Sequence, residues 1–125
     1  MRYIFLIYSR ETDPASMSAQ DEQAVMSSHR AVQDEATQRG VLQAAQPLQR
    51  THTATTVRMQ DGKPLIVDGP FAETKEQLAG YYLIDCRDLD EAIEWAQKIP
   101  SGCRGAPGCI EIRPLLELPV GQALA

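Results

Sequence analysis

Few side chains in this 125-residue sequence have the chemistry of a reactive centre, and two of them are histidines. His29 lies in the stripe Val25, His29, Val32, Ala36, whose steps of four, three and four trace one helical face. An imidazole there can take or give a proton near neutral pH. A histidine on a core-facing stripe can equally be a satisfied packing residue, and both readings stand at this point. His52, set among Thr51, Thr53 and Thr55, reads as exposed. Two histidines on different elements, with no Cys or Glu at ligand spacing, do not make a metal site. Neither a phosphate-cradling loop nor a serine-centred nucleophile motif occurs, so no cofactor is expected.

The charged and sulfur-bearing residues offer weaker signals. Glu73, Lys75 and Glu76 are closely spaced; Lys75 could hold an anionic substrate, or the three could form a solvated network that orders a corner. Glu111 and Arg113 alternate with Ile110 and Ile112, so both charges fall on the face that the isoleucines do not use. Arg113 there is either half of an interfacial pair with Glu111 or an anion-binding arginine. Cys86 sits in an apolar strand pattern and reads as a core filler. Cys103 and Cys109 form no C-x-x-C, and a bridge between them is disfavoured in a reducing cytosol.

Composition narrows the function classes. Twelve Lys+Arg against seventeen Asp+Glu give a net charge of -5, and no basic run occurs, which argues against direct contact with nucleic acid. A hydrophobic share of 43% suits a globular chain, and the length suits one domain over residues 1–125. No stretch approaches the ~20 apolar residues of a membrane span. The apolar start, Met1–Tyr8, is too short for a secretory signal and is followed by Arg10 and Glu11. A soluble, cytoplasmic protein is the expectation.

Hydrophobic patterning then supplies the elements that must position these residues. Arg2–Tyr8 reads as a strand apolar on both faces, Tyr3, Phe5 and Ile7 on one and Ile4, Leu6 and Tyr8 on the other. Ser18-Ala19-Gln20-Asp21 resembles a capping box opening a helix that ends at Gly40. Residues 41–48 and 53–59 read as strands. Asp61-Gly62 supplies a hairpin turn returning through Pro64–Val67. Asp68-Gly69-Pro70-Phe71 is a sharp corner in which Phe71 is expected to pack as a buried anchor. Residues 78–86 form a strand. Asp88 caps a second helix with Leu89, Ala92, Ile93, Ala96 and Ile99 inward, and Pro100 stops it. Residues 109–113 are the last strand, and 118–125 a loose tail.

Two helices among mostly antiparallel strands give an α+β fold: a ferredoxin-like two-layer sandwich with an added hairpin. The helices cover one sheet face. The apolar second face of the first strand then needs a cover, and a second copy of the chain would provide it.

The run Asp68-Gly69-Pro70-Phe71-Ala72-Glu73-Thr74-Lys75-Glu76, continuing to Tyr81-Tyr82-Leu83-Ile84-Asp85, resembles the signature of DGPF-domain proteins within the YCII-related superfamily. The resemblance extends to the opening strand, the helix carrying His29, Trp95 and the closing Glu111-Ile112-Arg113-Pro114. It implies a homodimer in which two ferredoxin-like subunits press sheet to sheet as a dimeric α+β barrel. It also implies a His–Asp site, mapping here to His29 and Asp68. A carboxylate on one imidazole nitrogen would fix the tautomer and leave the other nitrogen as a base. Asp68 could instead be a turn residue accepting backbone N–H bonds.

Two functions follow from different classes. One is a small enzyme doing His–Asp proton-transfer chemistry, isomerisation or elimination, on a small polar or aromatic molecule. The other is a non-catalytic small-molecule-binding or interaction module linked to transcriptional regulation.

Overall fold

The computed structural model describes residues 1–12, 14–101 and 107–118. Strand β1 (Arg2–Ser9) alternates as expected: Tyr3, Phe5 and Ile7 are buried, Ile4 and Leu6 half-buried. Helix α1 (Ala19–Gln38) opens on the capping box, with Ser18 Oγ accepting from Asp21 N and the Asp21 carboxylate accepting from Ser18 N. It closes on Gly40 at φ +72, where Gly40 N donates to Thr37 O and Val41 N to Ala36 O. This paired closure satisfies two terminal carbonyls and needs a residue that tolerates positive φ. Helix α2 (Leu89–Lys98) starts on Asp88, which accepts from Glu91 N.

Strands β2 (Leu42–Pro47), β5 (Gln77–Asp85), β1 and β6 (Gly108–Pro114) form one antiparallel sheet in the order β2-β5-β1-β6. With both helices on one face this is the ferredoxin-like two-layer sandwich. Strands β3 (Thr55–Gln60) and β4 (Lys63–Asp68) form a separate two-stranded hairpin. Its turn places Asp61 at φ 51 and Gly62 at φ 77, the mirror-image geometry that an Asp-Gly pair favours.

The core lies between the sheet and the helices. Phe5, Tyr82 and Ile84 from the sheet meet Val32 and Ala36 of α1 and Ala92, Trp95 and Ile99 at α2. Cys86 is buried there at 2% exposure, and burial pushes its thiol up to about 11. Ile110 and Ile112 pair with Ile7 and Phe5 and so share the helix side, whereas Glu111 and Arg113 pair with Leu6 and Ile4 on the open face.

The structure corrects three expectations. Phe71 is 77% exposed and anchors nothing, because the hairpin and its corner lie outside the four-stranded sheet that holds the core. Leu89 and Ile93 are exposed: the buried face of α2 centres on Ala92, Trp95 and Ile99, and Leu89 lies in the first turn at its edge. Thr53, expected to start a strand, instead ends the 3-10 turn Thr51–Thr53, where the Glu11 carboxylate accepts from Thr51 N and Oγ1, and β3 begins at Thr55. Within the protomer Glu111 accepts from Tyr8 OH at 3.3 Å and is not paired with Arg113; the anticipated pairing is one across a dimer interface, between two copies of the chain. Cys103 and the tail beyond Leu118 lie outside the described residues.

Candidate functional site

Strands β1 and β5 carry Ile7, Gly80 and Tyr82 on the helix-facing side, and α1 crosses above them. Where α1 stands off from the ends of β2 and β5, the fold leaves a cavity of about 280 Å³. His29, Arg30 and Gln33 reach it from the helix, Gln46 and Pro47 from β2, and Gly80 and Tyr82 from β5. Gly80 permits the close approach of β2. A Cβ at that position would lie 2.8 Å from the Gln46 carbonyl oxygen and 3.2 Å from Pro47 Cα.

His29 and Tyr82 form the polar centre. Their rings stack at 5.9 Å between centroids and 25° between planes, and His29 Nδ1 lies 2.8 Å from Tyr82 OH. Gln33, one turn after His29, donates from Nε2 to the same hydroxyl at 3.4 Å. Tyr82 OH also reaches the His29 carbonyl at 3.4 Å. A phenol can accept from Nδ1–H while donating to that carbonyl, or donate to a bare Nδ1, so this partner serves either imidazole tautomer. Burial holds His29 below the usual histidine range, since the charged form loses hydration. Burial raises Tyr82, with the Gln33 contact opposing. Near pH 7 the pair is therefore neutral: an imidazole beside a protonated phenol. Nε2 makes no hydrogen bond with any described residue.

Asp68 is elsewhere. It ends β4 opposite Thr55, and its exposed carboxylate makes no hydrogen bond or ion pair with any described residue. The corner beside it is held by other groups: Gly69 N donates to Ala54 O at 2.7 Å and Thr56 Oγ1 to Gly69 O at 2.8 Å. The Nδ1 partner of His29 is thus Tyr82, and His29 and Asp68 are not hydrogen-bonded to each other within the protomer.

The sequence matches the family model of the YCII-related domain over residues 1–119. The chain belongs to the YCII-related family. An uncharacterized protein of Rhizobium meliloti is 41% identical over 115 residues, 92% of each chain.

In this YCII-related chain, the other anticipated site residues also stand apart from the cavity. Lys75 is exposed in the loop between β4 and β5, and Arg113 projects from the open sheet face. That loop is ordered by Thr74 Oγ1 donating to Glu76 O and by Gln77 Nε2 donating to Ala72 O and Thr74 O, without an ion pair from Glu73, Lys75 or Glu76 to any described residue. Among the described residues no helix is long and apolar enough to cross a membrane. Sequence reasoning missed Tyr82, Gln33 and Arg30. A signal for the helix residues was present: Met26, His29, Arg30 and Gln33 fall at i, i+3, i+4 and i+7, one continuous helical face.

Proposed function

We propose that this protein is a small enzyme that moves a proton on a compact molecule bound in the His29–Tyr82 cavity, as in an isomerisation or elimination. The observation carrying this reading is the 2.8 Å contact between His29 Nδ1 and Tyr82 OH, which orients the ring and leaves Nε2 unpartnered beside the cavity. In the Nδ1–H tautomer, Nε2 has a lone pair that can take a substrate proton. The resulting imidazolium keeps its Nδ1–H on the phenol oxygen, and Nε2–H can return the proton to another substrate atom. The lowered pKa favours the free base at neutral pH.

The working unit in this reading is a homodimer. Ile4, Leu6, Tyr81 and Leu83 line the sheet face that no helix covers, and an apolar face of that kind favours burial against a second copy. A second functional reading, ligand binding without turnover, draws support from the neutral partner on Nδ1, because a phenol raises imidazole basicity less than a carboxylate would.

The test is hydrogen–deuterium exchange. A panel of small carbonyl compounds with acidic C–H bonds is incubated with the protein in D2O and followed by NMR. Catalysed exchange of at least one compound, lost in a folded His29→Ala variant, is expected. Exchange that never exceeds buffer would remove the enzyme reading, and shifts of cavity resonances without exchange would favour binding alone.

A further inference from the structure

We infer that the cavity selects a compact organic carboxylate and that Arg30 is the group that holds its charge. This inference rests on the reading of the His29–Tyr82 cavity as the ligand site. The chain carries seventeen acidic residues and a net charge of -5, yet no Asp or Glu is among the residues lining this cavity. One cation does line it. Arg30 follows His29 directly on α1 and makes no ion pair or hydrogen bond with any described residue. Six other described basic residues also lack an ion pair with any described residue, so what sets Arg30 apart is its place in the cavity wall. An unpaired guanidinium at the mouth of a largely apolar pocket offers a planar fork of N–H donors suited to a carboxylate.

The neighbouring groups fit the same ligand. The Gln33 and Gln46 amides add polar contacts of either sense, while His29 Nε2 stays available as the base. The body of the ligand meets Ile7, Pro47 and the Tyr82 ring. A cavity of about 280 Å³ has the space of about nine waters at ~30 Å³ each. A ring of six atoms bearing one carboxylate fits within that space.

Binding to the intact protein is measured by ¹H–¹⁵N NMR with benzoate and cyclohexanecarboxylate against their uncharged amides, benzamide and cyclohexanecarboxamide. The acids should shift the Gly80 and Gln33 resonances and bind about tenfold more tightly than the amides, with the preference falling as salt rises. Arg30→Gln should bring the affinity of the acids down to near that of the amides, and Arg30→Lys should restore part of the preference. Arg30 is exposed on the helix, so either variant should fold. Equal binding of acids and amides, or an unaltered preference in Arg30→Gln, would overturn the carboxylate assignment and leave the cavity reading standing. Failure of all four probes to shift any cavity resonance would overturn both.

Discussion

Replacing Gly80 with alanine tests the packing that shapes the cavity. Gly80 pairs with Ile7 on one side and Pro47 on the other. A Cβ there falls short of the 3.4 Å at which ordinary contact begins by about 0.6 Å, and the atom it meets is the Gln46 carbonyl oxygen, which cannot rotate away as a side chain could. Relief must come from moving β2 off β5, and the neighbouring bond from Leu48 N to Ala79 O, 2.8 Å long, would lengthen with it. Overpacking of this kind costs about 1–3 kcal/mol. The gain from restricting the unfolded chain, about 0.4–1 kcal/mol for Gly→Ala, offsets part of that because the native φ at Gly80 is not in the left-handed region. The expected net loss is about 1–2 kcal/mol. Urea unfolding followed by the fluorescence of buried Trp95 gives the value directly. A Gly80→Ala protein as stable as the parent would show that β2 and β5 do not approach as closely as described.

Three further outcomes follow from the same structure. Phe71→Ala should change protomer stability by less than about 1 kcal/mol, since the ring is 77% exposed, and a loss of about 3 kcal/mol or more in the same unfolding assay would show that the corner is packed after all. The folded-state pKa of Cys86 lies above its unfolded value of 9.0, at about 11, so its contribution is fully present below pH 9 and lost as pH rises toward 11. That loss should amount to about 2–3 kcal/mol and be missing from the pH profile of Cys86→Ala; identical slopes for the two proteins would refute it. Leu83→Arg places a charge on the open sheet face and should convert a dimer to a monomer by analytical ultracentrifugation, whereas a parent chain that is itself monomeric at micromolar concentration would contradict the sheet-to-sheet pairing.

Local rules made much of the fold legible. The alternation in Tyr3, Phe5 and Ile7, the Ser18–Asp21 box, the glycine at position 40 and the Asp61-Gly62 turn each have a short-range physical cause, and each is found where the sequence implies. The errors arose where burial depends on distant partners. Thr51–Thr53 has strand-like residue types, but Glu11, forty residues earlier, caps it as a turn. Phe71 is an aromatic beside Gly-Pro, and nothing local records that its hairpin leaves the main sheet. In the site, His29 was identifiable from its helical stripe. Its hydroxyl partner was not, because Tyr82 is 53 residues away and reads simply as a strand aromatic. Arg30 lies next to His29 but falls outside the Val25, His29, Val32, Ala36 stripe on which the helical face was read.

The central claim is that His29 and Tyr82 form one coupled pair beside the cavity, and ¹⁵N NMR of the His29 ring against pH tests it most directly. Desolvation should place the His29 titration below 6.5, so that the ring stays neutral at pH 7 and gains its proton only as pH falls. Tyr82→Phe should shift that titration and alter the Nδ1/Nε2 tautomer balance, while Asp68→Asn should leave both unchanged. A His29 ring that titrates at or above 6.5 and responds to Asp68→Asn but not to Tyr82→Phe would contradict the pair.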